Sequence, residues 1–367
     1  MNWNNTSVSK DEYYHLLTML TIKNDATTLF SLAPHINNSY ITLGMLPLLS
    51  HFCVSVLDYY NSQNISVNLP KLSSFSLSDV RLKLKLFSES HKKGIAQIAK
   101  INYIQDNSFK SKLRFSILSK LNMYYNLGIV SDSEGNIIFN TQLLYYIFQD
   151  KKFSHTELHN EDIKAFVHEI FTIITSVHHG LIDCLPDCNP KIKATLFSLK
   201  YKDFNTNKNF NFFTNQEYGV EYSLLVLHLL CSLNFVRYVL NKLLSVDNIW
   251  LLRAKYITLY YVIKSVKVFT SQSTIPAIKA LQNSETESLL NGTFRSCMMH
   301  YAFINKEMYS IEDKYLDLSK PFWGLAETCF NGISYEDLCK TIDQEINTLA
   351  DKLESLLHIN TNTFTSF

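Results

Sequence analysis

Ser334–Leu357 reads SYEDLCKTIDQEINTLADKLESLL, and its spacing decides the fold class. Leu338, Ile342, Ile346, Leu349, Leu353 and Leu356 recur at intervals of 4, 4, 3, 4 and 3 residues. On a helix of 3.6 residues per turn they form one apolar stripe, with acids on the other face. Ser334, with Asp337 three positions on, has the pattern of an N-cap. Upstream, the same period predicts helices over 161–181, 217–244, 246–269 and 284–304. The Asn- and Phe-rich piece KDFNTNKNFNFFTNQ (202–216) reads as a loop between the first two. Residues 151–367 are therefore expected to form an antiparallel bundle of helices.

The amino-terminal half, 1–150, also reads as helical. Lys10–Leu32 follows Ser9 with Glu12 three later, a capping box, and a second helix is expected over 40–60. A helix starting at Ser78 or Asp79 and running to Phe87 follows, then a basic segment to Ile101. Phe109–Leu127 has an amphipathic pattern ended by Gly128, and IVSDSEGNIIF (129–139) reads as two short strands around an acidic turn. That order over 79–139 resembles the end of a winged helix-turn-helix. The fold class expected is mainly α, with a winged-helix-like hairpin in the first domain. With 46% hydrophobic residues against only 9 Gly and 7 Pro, the composition points the same way, because a sandwich of short strands needs more turns.

Charge is unevenly placed although the net is only +1. Residues 81–120 carry ten Lys or Arg against Glu89 and Asp106, whereas 306–354 carry five Lys against eleven acids. The first block suits a polyanion, with Lys110, Lys112, Arg114 and Lys120 flanking a recognition helix and Lys83, Lys85, Lys92 and Lys93 on phosphates. A solvated face or a surface for an acidic protein is the plainer account of the same residues.

Tyr222–Leu244 is the most apolar stretch, yet it carries His228, Asn234, Arg237 and Asn241, which suits a core helix better than a membrane span. The amino terminus has no basic segment leading into an apolar run. Seven scattered Cys read as free thiols, so a cytoplasmic protein without membrane attachment is expected. His178, His179, Cys184 and Cys188 lie close in sequence, but one Cys pair with a Pro inside it reads as a helix end and turn rather than a zinc site. GxxxxGK[ST], GxGxxG, GxSxG and HExxH are all absent, and no cofactor is expected.

FRSCMMHY (294–301) places Arg295 and His300 five positions apart, late in the expected bundle. This resembles the HEPN family of prokaryotic defence and toxin ribonucleases. The resemblance implies a metal-independent site built by two copies at a dimer interface. Arg295 would then steady phosphate charge, and His300 would move a proton or position the 2′-hydroxyl. Ser296 departs from the Asn, Asp or His usual after that Arg. The same two side chains also suit a purely structural role between helices.

A helical, winged-helix-like front with a helical remainder is also similar to accessory subunits of SMC-like (Lamassu, or three-component ABC) anti-phage and anti-plasmid systems. That likeness implies a non-catalytic adaptor bound to a partner ATPase. The HEPN likeness implies an abortive-infection or toxin ribonuclease working with a second copy of itself.

Overall fold

A computed structural model of the protein describes residues 8–36, 38–65, 69, 71–111, 113, 120, 124–148, 160–182, 184–186, 189–193, 195–206, 213, 219–273, 276–281, 284–305 and 308–357. With helix at 69% and strand at 7%, the protein is mainly α. Helices α1 (Lys10–Leu32), α2 (Ser39–Ser62), α3 (Leu77–Leu82) and α4 (His91–Ser111) precede a hairpin of β1 (Leu127–Ser131) and β2 (Ile137–Asn140). Then come α5 (Thr141–Phe148), α6 (Asn160–Ile182), β3 (Lys200–Phe204), α7 (Gly219–Leu243), α8 (Ile249–Gln272), α9 (Gly292–His300) and α10 (Tyr335–Leu357). A two-stranded ribbon, Ile304–Asn305 with Met308–Tyr309, lies between α9 and α10.

Polar side chains next to the apolar periods set the helix starts. Ser9 and Glu12 form the expected capping box on α1. Asn248 accepts from Leu251 N at 3.1 Å and opens α8. Ser334 accepts from Asp337 N at 3.1 Å and opens α10. The whole stripe of α10 from Leu338 to Leu356 is buried.

Four expectations change. The helix expected from Ser78 or Asp79 to Phe87 is capped by Ser76 and ends at Leu82, because the chain turns left-handed at Leu86 and Phe87. The helix expected over 284–304 is broken, because Asn291 accepts from Phe294 N and starts α9 afresh, and Tyr301 turns left-handed (φ 52°) and stops it. Lys200–Phe204, partly assigned to a loop, is a strand, because β1 offers it an edge and pairs Leu127 with Phe204 and Ser131 with Lys200. Of the helix expected over 109–127, Phe109–Ser111 close α4 and Leu127 opens β1. Residues 112, 114–119 and 121–123 lie outside the described residues. Tertiary pairing overrides the local pattern at Leu127.

The hairpin exists, but it is not a projecting wing. Both strands are buried along their full length, and Asn234 of α7 donates to Ile137 O at 2.9 Å. Only the turn is exposed, and Asp132 folds it by accepting from Glu134 N and Asn136 N, each at 3.0 Å. One hydrophobic core runs from Tyr13 to Leu357 and includes residues on both sides of position 150. Ser39–Ser62 and Gly219–Leu243 are long and apolar enough to cross a membrane by composition. Most of each apolar window is instead covered within the fold, 67% and 83% respectively.

Candidate nucleic-acid interface and the Arg295–His300 pair

Helix α4 has two unlike faces. Gly94, Ile98, Ile101 and Gln105 face inward, while Lys92, Lys93, Lys100, Tyr103 and Asn107 are exposed. Tyr103 is 65% exposed. Close packing holds the helix down. A Cβ on Gly94 would stand 2.8 Å from Phe269 Cζ and 3.1 Å from Phe87 Cβ. Further along, the Gln105 amide donates to Asn126 O and, at 3.1 Å, to Thr141 Oγ1, tying α4 to the hairpin.

The basic block divides. Lys92 and Lys93 lie on the exposed face of α4, joined by Lys100, which was not singled out from sequence. Lys110 is engaged at 2.6 Å with Asp106, over the Tyr124 ring. Lys120 is exposed; Lys112 and Arg114 lie outside the described residues.

Lys83, Lys85 and Lys93 come together around a cavity of about 150 Å³, with Phe87, Glu89, Gly94, Gln97 and Tyr146 among its walls. A single helical turn, Lys83–Lys85, leads into Leu86 (φ 45°) and Phe87 (φ 67°), two successive left-handed residues that are not glycine. Such backbone costs about 1–3 kcal/mol per residue and persists only where neighbours enforce it. Here Ser265 Oγ donates to Leu86 O, and the buried Tyr146 phenol donates to Lys83 O at 3.0 Å. A second, apolar cavity of about 60 Å³ lies on the other side of Lys83 and Tyr146, between α2 and α7.

Arg295 and His300 are both on α9. Arg295 is half-buried and donates to Tyr261 Oη at 2.8 Å, whereas His300 is the last helical residue, open to solvent on one side but with its ring partly covered. Burial first, then the positive charges of Arg295 and Arg81, hold the His300 imidazole below its usual pKa, with Asp58 opposing. Its neutral form therefore dominates at neutral pH. Arg81 of α3 pairs with Asp58 of α2 at 3.6 Å. The fold thus adds a second Arg and an acid to a pair that sequence reasoning saw alone. The short motif on α9 carries no signal for either partner.

Beneath this pair lies a buried ionic anchor. Arg253 Nη1 donates to Cys297 O at 3.1 Å and Met298 O at 2.5 Å. His51 Nε2 reaches Met298 O at 3.3 Å, and Ser55 donates to Met299 O at 2.7 Å. These groups occupy carbonyls that the end of α9 leaves without helical partners. Asp25 balances Arg253, and Tyr301 donates to Asp25 Oδ2 at 2.8 Å. Sequence reasoning missed Arg253 and Asp25; a charge inside the apolar run IWLLRAKYITLYY (249–261) was the available signal. His178 stacks on Phe30 with ring centroids 4.4 Å apart, and Cys188 lies outside the described residues. Among the described residues no three His, Cys, Asp or Glu are grouped to hold a metal ion.

No family model, curated protein or solved structure matches this chain.

Proposed function

We propose that the protein is a non-catalytic adaptor that binds nucleic acid on the exposed face of α4 and serves as an accessory subunit beside a partner ATPase in a bacterial anti-phage or anti-plasmid complex. One observation carries the binding part: Lys92, Lys93 and Lys100 share an open helix face with the exposed Tyr103 ring. Ammonium groups neutralise phosphates, and an exposed ring offers a base somewhere to stack. The acidic, buried-stranded hairpin is a poor phosphate contact, so α4 rather than the turn is the binding element. The membership in a defence complex rests on architectural likeness to SMC-associated subunits.

Fluorescence anisotropy with labelled single strands and duplex, over a salt series, tests the binding. Affinity that falls with salt, and falls further in Lys93→Ala and Lys100→Ala, supports it. Binding to neither strand type at low salt sinks it. Co-purification with a coiled-coil ATPase tests the adaptor role.

A second reading has its own support: the guanidinium charges of both Arg295 and Arg81 lower the pKa of His300. Two permanent cations suit a phosphorane-like transition state, and a neutral imidazole suits proton removal from a 2′-hydroxyl. This is the HEPN-type, metal-independent ribonuclease. Labelled tRNA and single-stranded RNA incubated in EDTA with wild type and His300→Ala decide it. Cleavage that disappears in the variant supports the nuclease; a folded wild type that cuts neither RNA removes this reading.

A further inference from the structure

We propose that the cavity between the Lys83–Lys85 turn and the first turns of α4 binds a phosphomonoester, the terminal phosphate of a nucleotide or of a nucleic-acid strand. The inference deepens the nucleic-acid reading of α4 but does not depend on it for a free nucleotide. Lys83, Lys85 and Lys93 line the space together with one acid, Glu89. Their balance is two positive charges, the complement of a phosphomonoester dianion near neutral pH. Glu89 stands 3.6 Å from Lys85 Nζ and 3.8 Å from Lys93 Nζ, both longer than the roughly 2.7–2.9 Å of a charge-assisted hydrogen bond. Neither lysine is committed to it, and both keep N–H donors for a competing anion. Gln97 adds an amide on the same wall.

Size and rigidity agree with a small anion. One water needs roughly 10–15 Å³ on the same volume measure, so about 150 Å³ holds a phosphate with part of its sugar. The left-handed Phe87 is part of its wall, and the tight Gly94 contact seats α4 beside it, with Lys93 and Gln97 among the lining residues. Strained backbone beside a cation-lined cavity is an arrangement that folding alone does not require. The aromatic walls, Phe87 and Tyr146, give the sugar or base an apolar side to rest on.

Calorimetric titration of the full chain with adenosine 5′-monophosphate and with adenosine tests the pocket. Anisotropy with one oligonucleotide carrying either a 5′-phosphate or a 5′-hydroxyl identifies the source of the phosphate. The monophosphate should bind about tenfold or more tightly than the nucleoside, as expected for hydrogen bonds to charged groups. The double variant Lys85→Gln/Lys93→Gln should abolish that preference with an unfolding midpoint little changed, because Lys93 is exposed, Lys85 only half-buried, and glutamine keeps most of each stem, while Lys340→Gln on α10 should leave it intact. A strand that gains affinity from its 5′-phosphate makes the strand end the ligand. A monophosphate preference without a strand preference makes it a free nucleotide. If neither phosphate compound outbinds its phosphate-free counterpart, the assignment is overturned, even where α4 still binds strands in a salt-dependent way.

Discussion

Arg253 Nε lies 2.7 Å from Asp25 Oδ2, with the Arg side chain 2% exposed and the Asp fully buried. This ion pair joins α1 to α8, and through the Arg253 bonds it also fixes the last turn of α9. Arg253 lies against the faces of Tyr301 (4.4 Å) and Phe322 (5.7 Å), both left-handed at φ 52° and 49°. Removing one partner of a buried pair strands the other charge and typically costs about 3–5 kcal/mol. Asp25→Asn should therefore lower the urea midpoint severely. The double variant Asp25→Leu/Arg253→Met should be less damaging than the sum of the singles. Additive losses across this cycle would show that the two side chains do not act as a pair.

Acid should weaken the fold before most carboxylates protonate. Burial pushes His51 and His228 down to about 3, whereas unfolded histidine titrates near 6.5. Between these values the unfolded chain holds protons that the folded chain refuses. The contribution of each is complete above about pH 6.5 and is lost as pH falls toward 3, at about 1.4 kcal/mol per pH unit. Urea midpoints measured from pH 7 to pH 4 should drop accordingly, and His228→Gln should flatten the slope by one proton. A profile level from pH 6.5 to 5 would contradict the neutral, buried assignment.

Arg81 should tune His300. In Arg81→Ala the imidazole loses a nearby positive charge and Asp58 loses its cation, so both changes favour the protonated ring. The His300 titration midpoint, followed by NMR of the ring protons, should move upward. An unmoved midpoint would mean that the guanidinium is too distant to matter. If the protein cleaves RNA, the acid limb of its rate profile should shift by the same amount.

On α4, single Ala substitutions at Lys93 and Lys100 should weaken binding similarly for all sequences. Each should reduce the dependence of log affinity on log salt by about 0.9 for duplex or 0.7 for single strands. Tyr103→Ala should instead reduce affinity for single strands with little change in the salt slope, since a ring contributes stacking and no charge. A Tyr103 variant that loses duplex and single-strand binding equally would argue against stacking.

Gly94→Ala should cost about 1–3 kcal/mol, the range for overpacking a tight site, because the new methyl meets Phe269 and Phe87. Thermal unfolding measures the loss. The same variant should loosen the lysine-lined cavity, so a stable Gly94→Ala protein would show that α4 can shift without penalty.

The sequence by itself determined the mainly α class, most helix spans and the caps at Ser9 and Ser334, while those at Asn38, Ser76, Asn248 and Asn291 were not read from it. Those features depend on neighbours three or four positions apart, as in Ser9 with Glu12 or the stripe from Leu338 to Leu356. It also pointed to the hairpin at 129–139, whose Asp132 and Asn136 fold the turn locally. Tertiary structure alone decided what these elements meet. Lys200–Phe204 becomes a strand only because β1 offers an edge; the hairpin is buried only because α7 covers it. Arg81, Arg253 and Asp25 gain roles near α9 from residues far away in the chain, where no spacing rule reaches. Lys83, Lys85 and Lys93 read as a charged run, and only the left-handed turn at Leu86–Phe87 and the close seat of Gly94 curl that run around a cavity. The physical reason is the same throughout: periodicity reports which side of an element turns inward, whereas electrostatic and cavity chemistry depend on which other element it meets there.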